Sequence, residues 1–155
     1  PRPNLVICGA SPVAFALSKQ APTIGFDVTI CAPAEDHASF PGASRRIEGL
    51  VPGAIGNADN YVIVSTQGRG DLAALEGALT VPVRHVGFVG SRRKINALKD
   101  KLREKGISEP ELERIEGPAG LDLGAITPEE IALSILAELV VIRRRGQRQT
   151  NIKTI

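Results

Sequence analysis

The apolar positions of this chain fall into short continuous runs, and segments with helical spacing separate the runs. The runs predict four buried strands, at residues 5–8, 27–31, 61–65 and 85–89. Helical patterns occupy residues 13–17, 72–79, 91–105 and 131–142. Because the strand runs are continuous rather than alternating, both faces of the sheet should be covered. The pattern predicts an α/β fold with a doubly wound, mostly parallel sheet and helices on both faces.

The last helical pattern sets the expected limits of the domain. Residues 127–130, Thr-Pro-Glu-Glu, have the order of a cap, a first-turn proline and a capping-box glutamate. We expect the helix that follows to end near Gly146. This leaves a single domain over residues 1–146 and a basic, loosely ordered tail over residues 147–155.

The composition argues against two classes of protein, nucleic-acid binders and membrane-spanning proteins. The chain has 155 residues, 43% of them hydrophobic, and a formal net charge of +2, so a dedicated nucleic-acid binder is not expected. Aromatic residues make up 3%, which leaves little for stacking on bases. No apolar run is long enough to span a membrane. Two cysteines inside strand-like runs suit a reduced, cytoplasmic protein. Because the chain contains no Met, we expect a processed product or a fragment.

The turn after the first predicted strand resembles a dinucleotide-binding turn in part. Gly9 supplies the first glycine of that pattern and Ala14 the last, with Ala10 between them, but Ser11 replaces the middle glycine. The acidic residue that would hold a ribose at the end of the second strand is also missing, because Ala32 stands there. Two interpretations remain open. The turn binds NAD(P), or it is a tight turn of the fold with no such ligand.

A basic segment follows the fourth predicted strand. Gly90 and Ser91 precede Arg92, Arg93 and Lys94 where a helix should begin. The first N–H groups of a helix lack carbonyl partners and carry partial positive charge, so this arrangement favours an anion. Arginine can bind phosphate with two parallel hydrogen bonds, and lysine adds a point charge. We predict an anion-binding site here, against the alternative of a solvated basic helix face.

A second polar loop follows the third predicted strand. Thr66, Gly68 and Arg69 lie in it, and the glycine allows close backbone approach. Arg69 is the side chain of this loop best suited to meet an anion. We expect Asp71 to be the N-cap of the next helix rather than a catalytic residue.

Five further residues have candidate chemistry. We expect Cys8 and Cys31 to lie at the ends of adjacent strands as small buried hydrophobes, with a thiol pair for sulfur or metal chemistry as the alternative. His37 and His85 are isolated and should be structural or solvent-facing, so no metal site is expected. Asp122 either fixes its glycine-rich loop through backbone N–H groups or contacts a ligand. The sequence does not indicate a pair of residues that would act as a catalytic nucleophile and its general base.

Two motifs make the chain similar to the carboxyl-terminal, Rossmann-like domain of the XdhC/CoxI family. They are Gly-Phe-Val-Gly-Ser-Arg-Arg-Lys at residues 87–94 and Gly-Pro-Ala-Gly-Leu-Asp-Leu-Gly-Ala-Ile-Thr-Pro-Glu-Glu-Ile-Ala at residues 117–132. The rest of the chain resembles the family more weakly. Ser11-Pro12 stands where the family usually has Gly-His, Ala32 where it has Asp, and Gln67 and Arg69 where it has Arg and His. The family's separate amino-terminal domain is absent from this chain.

The resemblance implies a function. Members of this family are accessory proteins of molybdenum hydroxylases such as xanthine dehydrogenase. The resemblance therefore implies binding of the molybdenum cofactor, its protection during sulfuration, and its delivery to an apo-hydroxylase, with a sulfur-donating enzyme as a further partner. That cofactor is a pterin with a phosphate or pyrophosphate, which suits an anion-binding helix N-terminus. We expect a maturation factor without net catalysis.

Two other functions stay open at this point. One is an oxidoreductase or regulatory domain that binds NAD(P). The other is a domain that only docks protein partners through its basic segment. A homodimer is compatible with the apolar helix at residues 131–142, but a buried core helix explains that pattern equally well.

Overall fold

The computed structural model describes residues 2–57 and 59–154. The strands are β1 Asn4–Cys8, β2 Asp27–Cys31, β3 Arg45–Ile47, β4 Asn60–Val64, β5 His85–Phe88 and β6 Ile115–Glu116. The helices are α1 Pro12–Gln20, α2 Asp71–Ala78, α3 Arg92–Glu104, α4 Glu109–Glu113 and α5 Pro128–Thr154. Two 3₁₀ helices, Ala21–Ile24 and Ala34–Ser39, complete the regular structure of these residues.

The sheet confirms the predicted doubly wound α/β fold. Its strands are parallel and follow the order β3-β2-β1-β4-β5-β6, so the direction of winding reverses between β1 and β4. Successive residues of a strand point to opposite faces. Leu5 therefore packs in the core cluster that contains Leu139 of α5, whereas Val6 packs in the cluster that contains Leu75 of α2. The reversal point places the ends of β1 and β4 side by side at the carboxyl edge of the sheet.

The last helix differs from its prediction in length. The expected end near Gly146 is wrong, because α5 continues to Thr154. A single glycine costs a helix only about 1 kcal/mol, and no proline follows it to stop the helix. Ile135 and Leu139 are fully buried, which agrees with a core helix, while Leu133 and Val140 are exposed on another face. The homodimer stays a prediction, as does the loose order of the tail, whose last residue, Ile155, lies outside the described residues.

Strand β6 was not predicted. It has two residues, Ile115 and Glu116, which pair with Val86 and Gly87 of β5. A run this short has no hydrophobic pattern of its own, and its conformation comes from its hydrogen bonds to β5. It places the glycine-rich loop of residues 117–125 beside the end of β5. Across the described residues, the helices fall short of the length and apolar character that a membrane crossing requires.

Candidate ligand-binding site

The turn after β1 packs tightly against the end of β4. Gly9 has a φ of +119°, and a Cβ at this position would lie 2.1 Å from the carbonyl oxygen of Ser65. The backbone N–H of Ser65 donates to the carbonyl of Cys8 at 2.8 Å, which fixes that neighbour. The glycine is therefore required by packing within the protein. Whether it also allows a diphosphate to approach stays a prediction.

The hydroxyl of Ser11 is already used by the fold. Ser11 is the N-cap of α1 and accepts a hydrogen bond from the N–H of Ala14 at 3.1 Å. Its Oγ also lies 2.7 Å from the Oγ of Ser65, and its side chain is buried, whereas the neighbouring Ala10 is exposed. The residue that replaces the middle glycine therefore joins the first turn to the end of β4.

The loop after β4 corrects the expectation for Asp71. Gly70, with a φ of +86°, is the residue at the N-cap position of α2, and Asp71 is the first residue of the helix. The buried carboxylate of Asp71 accepts a hydrogen bond from the hydroxyl of Thr66 and lies 3.2 Å from the Nζ of Lys94. Asp71 is thus not the N-cap. Because Gly70 adopts the left-handed conformation, the aspartate moves into the first turn, where the helix dipole also favours a negative charge.

The basic segment begins α3 as predicted. Ser91 is the N-cap and accepts a hydrogen bond from the N–H of Lys94 at 3.1 Å. Arg92 and Arg93 are exposed and form no ion pair with any residue that the structure describes. Lys94 is half-buried, and Asp71 offsets its charge. Two of the three cations are therefore available to an anion, and the third holds α3 to the start of α2.

A cavity of about 530 Å³ lies at the start of α3, and of the two exposed arginines Arg92 lines it. Gly90 and Arg92 form one wall, and residues 118–125 form the other. Asp122 lines the cavity, is exposed, and makes no hydrogen bond with the described residues. The hypothesis that Asp122 fixes its loop through backbone N–H groups is therefore wrong, since no such bond exists within the described chain. Its role as a ligand contact stays a prediction.

A different carboxylate, Glu138 of α5, holds the loop. It accepts a hydrogen bond from the N–H of Gly120 at 3.2 Å. Gly120 has a φ of +101°, and a Cβ there would lie 2.3 Å from the Oγ of Ser134, so the loop rests directly on α5. Sequence reasoning missed Glu138, because it is one polar residue within an apolar helix. The only feature of the sequence that could have indicated its role is the position of Glu138 on the buried side of that helix.

The two histidines are structural. His85 is buried between Glu116, 3.2 Å from its Nδ1, and Glu138, 3.7 Å from its Nε2. Burial lowers the pKa of His85, and this effect outweighs the two carboxylates, which raise it. His37 Nε2 donates to the carbonyl of Ala32 at 2.7 Å. The structural interpretation is confirmed, but a solvent-facing position is wrong for His85.

A second cavity, of about 370 Å³, lies on the other side of the first turn. Gly9, Thr66 and Arg69 line it together with both cysteines. Cys8 and Cys31 are direct partners in the parallel pairing of β1 and β2, so the predicted adjacency is confirmed. Both are buried, as expected of small hydrophobes, yet both also line this cavity.

The predicted site residues thus share the carboxyl edge of the sheet but divide among three depressions. Gly90, Arg92 and Asp122 line the larger cavity on one side, and the glycine turn lines the smaller one. Gly68 and Lys94 line a groove between α2 and α3, with a volume of about 540 Å³. The described residues therefore do not bring all of the predicted site residues into one depression.

The family model of the XdhC Rossmann domain matches residues 5–139. This chain belongs to the XdhC family. The match includes both motifs that suggested the resemblance, and it covers the sheet except for the first residue of β1.

Three other proteins are similar to this chain. The uncharacterized protein YqeB of Escherichia coli K12 is 33% identical over 153 residues, which cover 94% of this chain and 28% of YqeB. A probable subunit of xanthine dehydrogenase from Bacillus subtilis 168 is 28% identical, over 94% of this chain and 44% of the relative. The crystal structure of a xanthine dehydrogenase from Bacillus halodurans superposes with a TM-score of 0.80 at 25% identity, over 97% of this chain and 47% of the other.

This XdhC chain therefore spans less than half the length of each of these relatives. It corresponds to one domain of longer proteins. The family is linked to xanthine dehydrogenase.

Proposed function

We propose that this domain binds a molybdenum cofactor of the molybdopterin type and delivers it to a molybdenum hydroxylase such as xanthine dehydrogenase. In this proposal the domain is part of a cytoplasmic maturation factor that carries out no net catalysis. Its partners are the apo-hydroxylase and an enzyme that donates sulfur to the cofactor. The names of two relatives support the link to a hydroxylase.

The observation that carries the proposal is the pair of unpaired arginines at the start of α3. Arg92 and Arg93 have no carboxylate partner among the described residues, and they lie where the helix dipole also attracts an anion. Two guanidinium groups match the phosphate or pyrophosphate of a pterin cofactor. The chemistry of this donor set therefore fits the phosphate end of the group.

The neighbouring cavity offers room for the rest of the ligand. Its volume of about 530 Å³ lies within the usual range for small-molecule sites. The Gly90–Ser91 backbone would bind the phosphate, and Asp122 would accept hydrogen bonds from N–H groups of a pterin ring. Lys94 would act through its field only, because Asp71 already binds it. When bound, the cofactor supplies the molybdenum chemistry, and the protein supplies position and protection from water.

The test is a double substitution, Arg92→Ala with Arg93→Ala. Loss of two charge-assisted contacts, each worth about 1.5–3 kcal/mol, should weaken binding of the isolated cofactor at least about a hundredfold. The matched control is Arg144→Ala with Arg145→Ala, which removes the same charge from exposed positions on α5. Titration at one fixed salt concentration compares the three proteins. Equal affinity of the first variant and wild type would contradict the proposal.

A second candidate function is NAD(P) binding, in an oxidoreductase or regulatory domain. One observation favours it: Glu48 lines the smaller cavity together with Ala32, so a carboxylate is present near the place where the ribose acid is missing. Titration calorimetry with NAD and with NADP tests this candidate. Affinity for either nucleotide that survives the double arginine substitution would favour this function over cofactor delivery.

A further inference from the structure

The two cysteines form a pair that the cofactor-binding proposal does not use. Cys8 ends β1 and Cys31 ends β2, and the two are register partners in parallel strands. Their side chains therefore point to the same face of the sheet. Neighbouring strands lie about 4.8 Å apart, which is within the range of Cα separations that a disulfide spans. Both thiols are free.

The two thiols differ in their access to the cavity and in acidity. Cys8 is 1% exposed and Cys31 is 8% exposed, and both line the cavity of about 370 Å³. A hydrogen bond from the Cys8 thiol lowers the pKa of Cys31, although burial opposes the shift. The same contact, together with burial, raises the pKa of Cys8 well above its ordinary value. Cys31 is also the more exposed of the two thiols, so it is the one that a molecule in the cavity meets first.

Two charged side chains line this cavity, the cation of Arg69 and the carboxylate of Glu48, and they do not pair with each other. Arg69 lines it and forms no ion pair with the described residues. Thr66 lies beside it, and its hydroxyl is bound to Asp71. A carboxylate is the complementary group for a free guanidinium. The cavity, of about 370 Å³, has room for a molecule the size of an amino-acid disulfide.

We propose that Cys31 and Cys8 form a dithiol centre that opens the sulfur–sulfur bond of a small, carboxylate-bearing disulfide or persulfide. The Cys31 thiolate attacks one sulfur of R–S–S–R′, which forms Cys31–S–S–R and releases R′–S⁻. The Cys8 thiol gives its proton to that thiolate and attacks the Cys31 sulfur. The products are the Cys8–Cys31 disulfide, R′–SH and R–S⁻. The substrate bond gains two electrons, and the two cysteines lose them. With a persulfide, R is hydrogen: Cys31 takes the outer sulfur as Cys31–S–SH, the thiol R′–SH leaves, and sulfide is released when Cys8 attacks the Cys31 sulfur.

The test uses the full chain, reduced and free of pterin, so its outcome is independent of the proposed function. Cystine and cysteine persulfide are the probes, in separate arms, and intact-protein mass spectrometry is the readout. We expect wild type to lose the mass of two hydrogens in at least one arm. Cys8→Ser should stop at the mixed disulfide or persulfide on Cys31, and Cys31→Ser should not react. Reaction with cystine identifies a disulfide substrate, and sulfide release identifies a persulfide substrate.

Arg69→Ala tests the carboxylate preference. Wild type should react faster with cystine than with cystamine, which lacks carboxylates, and the substitution should reduce that ratio about five- to tenfold. Two results would overturn the proposal. One is that native wild-type protein reacts with neither probe while the urea-unfolded chain reacts with both. The other is that Cys31→Ser reacts as fast as Cys8→Ser, because the assigned nucleophile would then be irrelevant.

Discussion

Replacement of Gly9 by alanine tests whether this glycine is required by the fold itself. The new Cβ would lie 2.1 Å from the Ser65 carbonyl oxygen, 2.7 Å from its carbonyl carbon and 2.9 Å from the Thr66 Cα. All three are backbone atoms, and the hydrogen bond from Ser65 to Cys8 holds them. No side-chain rotation can relieve the contact, so the backbone at the switch point must move.

The expected cost has two parts. A non-glycine residue at a φ of +119° costs about 1–2 kcal/mol, and overpacking against fixed atoms adds about 1–3 kcal/mol. Gly9→Ala should therefore lower the free energy of unfolding by about 4 kcal/mol. For a domain of this size, that loss corresponds to a fall in Tm of about 8–16 °C.

Two other glycines allow the backbone strain and the overpacking to be measured separately. Gly25 has a φ of +95° with no atom within 4 Å of its virtual Cβ, so Gly25→Ala should cost only the strain. Gly42 has open space and no such φ, and Gly42→Ala should change stability by less than about 0.5 kcal/mol. Each variant gains the same entropic benefit in the unfolded chain, so this benefit cancels in the comparison.

Urea denaturation of the ligand-free proteins measures all three variants. A stability of Gly9→Ala within about 1 kcal/mol of that of Gly25→Ala would refute the packing explanation. The close approach of Ser65 would then not explain why position 9 is a glycine, and the approach of a ligand would explain it better.

Two further predictions concern carboxylates. Asp71→Asn keeps a partner for the Thr66 hydroxyl but removes the charge that faces Lys94, whose side chain is 42% exposed. We expect urea denaturation to show a stability loss of about 1 kcal/mol. Calorimetry should show a two- to fivefold gain in affinity for inorganic phosphate. A weaker affinity for phosphate would contradict the assigned ion pair. Hydrogen bonds from the backbone of Thr127 and Ile126 lower the pKa of Glu130. The contribution of Glu130 to stability is therefore present at neutral pH, and it is lost as the pH falls through that lowered pKa. The difference in unfolding free energy between wild type and Glu130→Gln should therefore shrink on acidification below about pH 4, and a difference that does not depend on pH would refute the capping box.

Local chemistry made several features of this chain predictable. The apolar runs that became β1, β2, β4 and β5 need burial on both faces, and few folds other than a doubly wound sheet provide it. Ser91 begins α3 as expected, because a serine before a helical pattern satisfies a free N–H group through its own side chain. The location of the basic segment at the end of a strand followed from the same order of elements.

Other features depended on partners far away in the sequence. Lys94 looked like a third ligand for an anion, yet its charge is offset by Asp71, a residue on a different helix. Asp71 itself looked like an N-cap, but the left-handed conformation of Gly70 moved it inward. Glu138 was not recognised, because only the folded chain brings it to the N–H of Gly120.

The sequence by itself determined which segments are buried and which helix begins with a run of cations. These properties depend on the side chain and its immediate neighbours, and hydrophobic periodicity and capping chemistry report them directly. The tertiary structure decided which cations stay free, which thiols share a cavity, and which glycine is held by packing. Those outcomes depend on distances between β1, β4 and the helices, which parallel pairing sets and a linear pattern does not contain. Arg92 and Arg93 remain available to an anion because, unlike Lys94, no carboxylate of the described chain folds against them.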